Sequence, residues 1–351
     1  MCERLKRFAD ISDIRYVRPA GEPMNTPEAW GSDVWLDAAT RFIDEALGSH
    51  GRERTGPVAR SRVRPWSALL EAPTRGGSVW LKACGPATTF EAALYLRLQA
   101  IVPDHVLTPL ALDTERGWLV LPDGGTLLGH DCSGDALALA LERVVPHYAE
   151  LQLKMAPHAS MLVELGVTDM TATVMPLRFE QALTTVRAYL EQRGHAADWQ
   201  QLDAVAALTP RFSAWCSELA HAPGAPSLDH NDLHPWNVFA TGAHPETARF
   251  FDWGDSVIAH PFASLLVLLA TLRHTLQAHA DDPRVLRVRD AYLEPFAALA
   301  PRRELIATAD LACRVARAAR VLTWQRAIGA PAPEDYAAIP FGKLLELLDD
   351  H

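Results

Sequence analysis

An α+β fold in two parts is what the sequence predicts, strand-rich up to about residue 122 and helical beyond it. Three observations carry that expectation. Short runs of strand-forming residues such as 78–84 and 118–121 fall before residue 122. Segments with apolar residues at helical spacing, such as 136–155 and 302–328, fill most of the remainder. Between them, residues 228–255 hold two short strand-forming runs around a loop that carries Gly242 and Pro245, the pattern of a hairpin.

The whole chain narrows the class. Its 351 residues suggest about two domains, and 49% apolar with 22% charged residues is ordinary for a globular protein. The five cysteines are scattered, odd in number and without a Cys-x-x-Cys pair. That disfavours a disulfide framework or a structural zinc and fits a reducing cytoplasm. No signal peptide follows the Met-Cys-Glu-Arg-Leu-Lys-Arg start, and the longest apolar run, 261–272, is too short for a bilayer and reads as a buried helix. With 33 basic against 43 acidic residues the net charge is −10. Nucleic acid is therefore disfavoured as a partner, and no membrane attachment is expected.

Taken in order, residues 1–30 carry Pro19, Gly21, Pro23 and Pro27 and are expected to be mostly irregular. Ser32 is placed to cap a helix over 33–47, with Val34, Ala38, Phe42 and Ala46 on its apolar face and Gly48 as its stop. Residues 58–71 and 77–84 read as a strand pair joined around 73–77. On the second, Trp80, Lys82 and Cys84 share a face. A lysine there is costly to bury without an anion, and Glu91 stands in the first turn of the next helix, 89–100. Alternatively, Lys82 is a solvated edge residue and Glu91 serves the helix dipole. A strand at 118–121 runs into Pro122-Asp123-Gly124-Gly125. Helices follow at 136–155, with a break or kink at Pro146, then at 177–192, 199–221, 261–280, 284–299, 302–328 and 342–349. The expected organisation is a 1–57 extension with one helix packed on the strand-rich lobe, that lobe over 58–122, and a helical lobe over 123–351.

The chemistry concentrates at 228–255. Pairing symmetric about the 241–248 loop sets Ala240 opposite Arg249 and Asn237 opposite Asp252. An amide oxygen and a carboxylate at one end of a hairpin suit Mg²⁺, which takes few protein oxygens plus substrate phosphates. Asp232, five residues before Asn237, is close enough to accept a proton from an attacking hydroxyl. Phosphoryl transfer fits that set. Two other readings stay open: an ordinary turn and hairpin, and a zinc hydrolase built on His230, Asp232, His234 and His260.

His230-Asn231-Asp232-Leu233-His234-Pro235-Trp236-Asn237 and Asp252-Trp253-Gly254 resemble the catalytic loop and metal motif of the aminoglycoside phosphotransferase family, small-molecule kinases with a protein-kinase-like two-lobe fold. The resemblance covers roughly residues 58–270. It implies ATP and Mg²⁺ as cofactors, Asp232 as catalytic base, and Asn237 and Asp252 as metal ligands. It further implies that Lys82 holds the phosphates, that Glu91 orients Lys82, and that extended backbone from Leu121 to Asp123 meets the adenine ring. The implied activity moves the γ-phosphoryl group to a small-molecule hydroxyl, on an aminoglycoside or other amino sugar. A polycationic acceptor needs several carboxylates in its pocket, for which Asp255, Glu180 and Glu294 are the candidates, whereas a pocket lined by Trp236, Trp253 and other apolar groups points to a less charged alcohol. Two departures stand out. The phosphate-covering turn, Arg64-Pro65-Trp66-Ser67, has no glycine, so the Ser67 hydroxyl and nearby N–H groups are expected there. Ser264 replaces an aspartate that in this family braces the catalytic loop. Both departures lend some weight to a nucleotide-binding pseudokinase, an interaction or sensor module without turnover.

Overall fold

Ser32 begins the first described α-helix by accepting a hydrogen bond from the Trp35 amide at 3.2 Å, which satisfies one of the amides a helix start leaves unpaired. The computed structural model describes residues 26–329 and 332–349; most of the irregular stretch expected over 1–30 lies outside the described residues. Helix α1 (Asp33–Ser49) passes through Gly48 and ends two residues later than the sequence predicts. Its buried side is also different. Val34 is 63% exposed, whereas Trp35, Ala38, Ala39, Phe42, Ile43, Ala46 and Leu47 are buried. The large Trp35 ring decides the face, meeting Trp118 edge-on at 5.8 Å between centroids.

The chain divides into two compact units, Met1–Gly124 and Gly125–His351. The first contains an antiparallel sheet in the order β1 (Ala59–Arg64), β2 (Ser67–Ala72), β3 (Val79–Cys84), β5 (Trp118–Pro122), β4 (Ala111–Asp113). The expected single strand over 58–71 is thus a hairpin, β1–β2, turning at Pro65-Trp66. Strand β1, with Arg60, Arg62 and Arg64, lies mostly in solvent, and such a charged edge resists pairing with another chain. One face of the sheet (Ala68, Leu70, Ala72, Val79, Leu81, Val120) packs with α1 and Trp118 in a single core. Helix α2 (Phe90–Ile101) follows β3.

The second unit is helical. Short α3 (Leu128–Asp131) leads into α4 (Gly134–Met155), which runs unbroken through Pro146. Then come α5 (Ala159–Glu164), α6 (Met175–Arg193), α7 (Ala196–Ala206) and α8 (Thr209–Ala220). The last two replace one expected helix, because Pro210 opens a new first turn. After the strands of the site come α9 (Leu265–Leu276), α10 (Pro283–Leu293), α11 (Arg302–Ile328) and α12 (Ile339–Leu345). Helix α9 is not buried all round as its apolar run suggests. Leu265, Leu268 and Leu272 are buried, while Leu266, Val267 and Leu269 line an open cavity of about 800 Å³ with α10 and α11. Among the described residues no helix is long and apolar enough to cross a membrane.

Candidate active site

In the first unit, Lys82 on β3 and Glu91 in the first turn of α2 meet directly. Lys82 Nζ donates to both Glu91 carboxylate oxygens, at 2.7 and 2.6 Å. The two side chains are 16% and 2% exposed, so this is a buried, charge-assisted pair rather than a solvated edge lysine. Cys84 Sγ, on the same strand face, donates to Glu91 at 3.2 Å. Ser67 is the first residue of β2 and buried, opposite Cys84 in the sheet. The turn before it is drawn tightly onto β3: the Gly85 amide donates to Trp66 O at 2.7 Å. A Cβ on Gly85 would come within 2.9 Å of that oxygen, so glycine serves this turn from the neighbouring strand. Leu121 pairs with Trp80 at the end of β5, and the exposed Asp123 donates its amide to Ser78 O at 3.1 Å.

In the second unit, a three-stranded sheet places β10 (Val257–Ala259) between β6 (Thr168–Asp169), parallel to it, and β7 (Ser227–Asp229), antiparallel. The chain leaves β7 at His230, passes Asn231 in the left-handed region (φ 58°) and Asp232, and makes a 3₁₀ turn over Pro235–Asn237. It then pairs β8 (Val238–Phe239) with β9 (Arg249–Phe250). The register differs by one residue from symmetric pairing: Phe239 opposes Arg249, and the Asn237 carbonyl accepts from the Phe251 amide at 3.3 Å. Asn237 therefore faces Phe251, not Asp252. The 3₁₀ turn Pro245–Thr247 in the connecting loop takes up the difference. Asp252 itself is left-handed (φ 65°, ψ 60°), so the chain turns there into the 3₁₀ turn Trp253–Asp255 and on to β10. A non-glycine residue in that region costs about 1 kcal/mol or more and persists where its surroundings fix it.

The 230–237 loop and the β8–β9 hairpin are locked together. His230 Nε2 binds Phe251 O at 2.9 Å, and Asn237 Nδ2 donates to the Asp232 carbonyl at 3.0 Å. His230 is buried, which lowers its pKa and keeps the ring neutral. The Asp232 carboxylate lies 3.2 Å from Arg320 Nη2 and 3.5 Å from His234 Nε2. Burial alone would raise its pKa, but the hydrogen bond from His234 and the Arg320 charge outweigh this and hold it below the ordinary carboxylate range. Asp255 is pushed up to about 6, first by burial and then by the neighbouring Asp232, against Arg320 and Arg326. Trp236 packs over Gly129 on α3, where a Cβ would come within 2.6 Å of the indole. Trp253 is fully buried, against His230 and Tyr148. Glu180 and Glu294 are exposed.

A buried polar network that the motifs do not announce supports the loop. Tyr148 OH accepts from the His230 amide at 2.8 Å and meets Ser264 Oγ at 3.1 Å. Gln152, one turn on, donates to Leu228 O and Pro261 O at 2.9 and 3.1 Å, and Tyr292 OH donates to Gln152 Oε1. Ser264 Oγ donates to Asp229, whose carboxylate also takes the Asn231 amide at 2.9 Å. The loop thus has a charged brace beside Ser264, supplied from β7. Burial raises the Asp229 pKa to about 6. From α11, Thr323 Oγ1 accepts from Asn231 at 3.0 Å, and Arg320 donates to the Asn231 carbonyl. One signal for these residues is visible in the sequence: Tyr148, Gln152 and Arg320 are polar groups on otherwise apolar helix stripes.

Two histidines of the zinc reading, His234 and His260, are occupied in the structure. His260 Nε2 binds Pro223 O at 3.1 Å, while its Nδ1 accepts from the Phe262 amide; His234 Nδ1 accepts from the Trp236 amide. Among the described residues no group of three or more His, Cys, Asp or Glu side chains is placed to hold a metal ion. An amide oxygen from Asn237 with a carboxylate from Asp252 is instead a hard, sparse donor set, which fits Mg²⁺ completing its shell with water and phosphate.

A family model described as the phosphotransferase enzyme family matches residues 86–305, more than half the chain. No curated protein matches the chain by sequence. Among solved structures, an ethanolamine kinase from Plasmodium vivax is 11% identical, with a TM-score of 0.59, covering 98% of this chain and 94% of its own. A macrolide 2′-phosphotransferase type I is 15% identical, with a TM-score of 0.55 and coverage of 88% and 97%. A choline kinase from Streptococcus pneumoniae is 15% identical, with a TM-score of 0.51 and coverage of 89% and 99%. At these identities the likeness is one of fold: the α+β, protein-kinase-like fold.

Proposed function

This chain belongs to the phosphotransferase enzyme family, and from that premise we propose that it is a kinase moving the γ-phosphoryl group of ATP, with Mg²⁺, to a hydroxyl of a small molecule. The observation that carries this reading is the lock between the two motifs. Through Phe251 and Asn237 the β8–β9 hairpin ties the Asp232 loop to the segment ending in Asp252. The donation from Asn237 Nδ2 to the Asp232 carbonyl leaves the amide oxygen free to face a cation.

In this mechanism Asp232 accepts a hydrogen bond from the acceptor hydroxyl, orients it for attack and takes its proton as the new oxygen–phosphorus bond forms and the bond from the γ-phosphorus to the bridging oxygen of ADP breaks, ADP leaving with that electron pair. A strongly basic carboxylate is not required, because phosphoryl transfer passes through a loose transition state in which the hydroxyl loses its proton late. Its low basicity beside Arg320 and His234 therefore suits a positioning acceptor. Lys82, oriented by Glu91, holds the phosphates. Asn237 and Asp252 would hold Mg²⁺, which when bound neutralises charge developing on the phosphate oxygens. Ser67, with nearby N–H groups, lies against the phosphates, and the backbone from Leu121 to Asp123 meets the adenine ring.

A small alcohol as acceptor is supported by the names of the structural neighbours, which include macrolide, choline and ethanolamine. That spread does not single out an aminoglycoside within the class. The test is a screen of hydroxylated small molecules for ATP- and Mg²⁺-dependent gain of one phosphoryl group, read by product mass. A pseudokinase would bind nucleotide and phosphorylate nothing in the screen.

A further inference from the structure

Arg320 stands on α11, beyond residue 305 where the family match ends. It is 6% exposed, and its guanidinium meets both the Asp232 loop and Asp255, the residue after the Asp252-Trp253-Gly254 motif. Nη2 lies 3.2 Å from Asp232 Oδ1, Nη1 lies 3.4 Å from Asp255 Oδ2, and Nη1 also donates to the Asn231 carbonyl. Trp324, one turn on, presents its ring 6.0 Å away. From the same helix, Arg326 donates to Gly254 O and Ser256 O, on either side of Asp255 in sequence, and to Thr168 Oγ1. Two carboxylates beside the proposed hydroxyl position, Asp232 and Asp255, are therefore both answered by the one Arg320 guanidinium, while Arg326 holds the backbone on either side of Asp255. The other acidic residues that the sequence offers for this wall, Glu180 and Glu294, are exposed.

Charge balance here bears on what can be phosphorylated. An ammonium group gives up its water only against an opposite charge, and several such groups need several unanswered carboxylates. Resting on the kinase reading above, we propose that Arg320 sets the charge of the acceptor. It fills, from within the chain, the cationic place beside Asp232 and Asp255, so the enzyme takes uncharged or singly charged alcohols and discriminates against polyammonium sugars. Arginine suits this place: its planar fork spans two carboxylates and a carbonyl. A polycation must either displace a buried guanidinium or sit beside it, and like-charge repulsion of this kind is a recognised source of specificity.

The test uses kanamycin as the polycationic probe, titrated calorimetrically into the full-length protein with Mg²⁺ and ADP present. The wild type is expected to bind it with a Kd above about 100 µM. R320Q, which keeps a hydrogen-bond donor but removes the charge, is expected to bind about tenfold tighter or more. A wild-type Kd below that limit, or an R320Q affinity no higher than the parent's, overturns the proposal. Should R320Q fail to fold by circular dichroism, the wild-type arm decides alone. Failure of the kinase reading is a separate result: no acceptor phosphorylated in the mass screen removes that reading, and the charge dependence of kanamycin binding is still measured.

Discussion

Replacing Glu91 by Gln separates what the Lys82–Glu91 pair does for stability from what it does for turnover. Both carboxylate oxygens hold the ammonium within 2.7 Å, and the side chains are 16% and 2% exposed. Removing one partner of a buried pair costs about 3–5 kcal/mol, because the other charge stays buried. Lys82 keeps some access to water, so Glu91→Gln belongs at the lower end, about 3 kcal/mol. Lys82→Met leaves the more deeply buried Glu91 uncompensated and belongs at the upper end. The double variant Lys82→Met/Glu91→Leu removes both charges and should return to within about 1 kcal/mol of the parent. The assay is urea unfolding at pH 7, with ATP-dependent phosphate transfer measured on the same samples. Stability is expected to recover in the double variant while transfer does not. A Glu91→Gln loss below about 1 kcal/mol would mean the pair is solvated like a surface ion pair. Transfer retained in the double variant would remove Lys82 from the reaction.

Three further outcomes are expected. Asp252→Ala should abolish Mg²⁺-dependent nucleotide binding and Asn237→Ala should weaken it; stoichiometric tightly bound zinc and indifference to Mg²⁺ would favour the hydrolase reading instead. Burial lowers the His260 pKa from 6.5 to about 4 in the folded protein, so its contribution is complete above pH 6.5 and is lost as pH falls toward 4, about 3 kcal/mol in all. The geometry agrees, since protonating Nδ1 would turn it against the Phe262 amide it accepts from; stability curves of the parent and His260→Asn that run parallel between pH 7 and 4 would refute the assignment. Ser264→Ala should cost about 1–3 kcal/mol by leaving buried Asp229 short of a donor, and should slow phosphate transfer through the loop; an unchanged melting temperature would show that Asp229 finds its donors elsewhere.

How far the sequence was legible depends on whether a feature is local. Helix α11 begins and ends where its periodicity says, at Arg302 and Ile328. The Lys82–Glu91 pairing is carried by the resemblance to a kinase strand lysine and its helix glutamate; the strand period and helix first turn alone leave a solvated edge lysine open, and the contact itself needs the fold. The β8–β9 register is harder, because it turns on a 3₁₀ turn inside the loop and on left-handed backbone at Asp252, and neither has a strong local signature in Pro-Glu-Thr or Phe-Asp-Trp. The face of α1 was set by a partner far along the chain, Trp118, which spacing alone does not name. Ser264 reads as a lost charge in sequence, yet the carboxylate stands across from it at Asp229, 35 residues upstream. Arg320 is 88 residues from Asp232, and only the fold brings that helix against the Asp232 loop.

The central claim is that Asp232 receives the acceptor hydroxyl in a phosphoryl transfer. The most direct measurement follows the γ-phosphoryl group of labelled ATP into an acceptor identified by the mass screen, for the parent and for Asp232→Asn, with nucleotide affinity measured in parallel. The parent should transfer label in a Mg²⁺-dependent reaction. Asp232→Asn should bind ATP as before and turn over about 10²–10⁴-fold more slowly, the usual worth of a positioned proton acceptor. A rate within about threefold of the parent, well short of that range, would contradict the account.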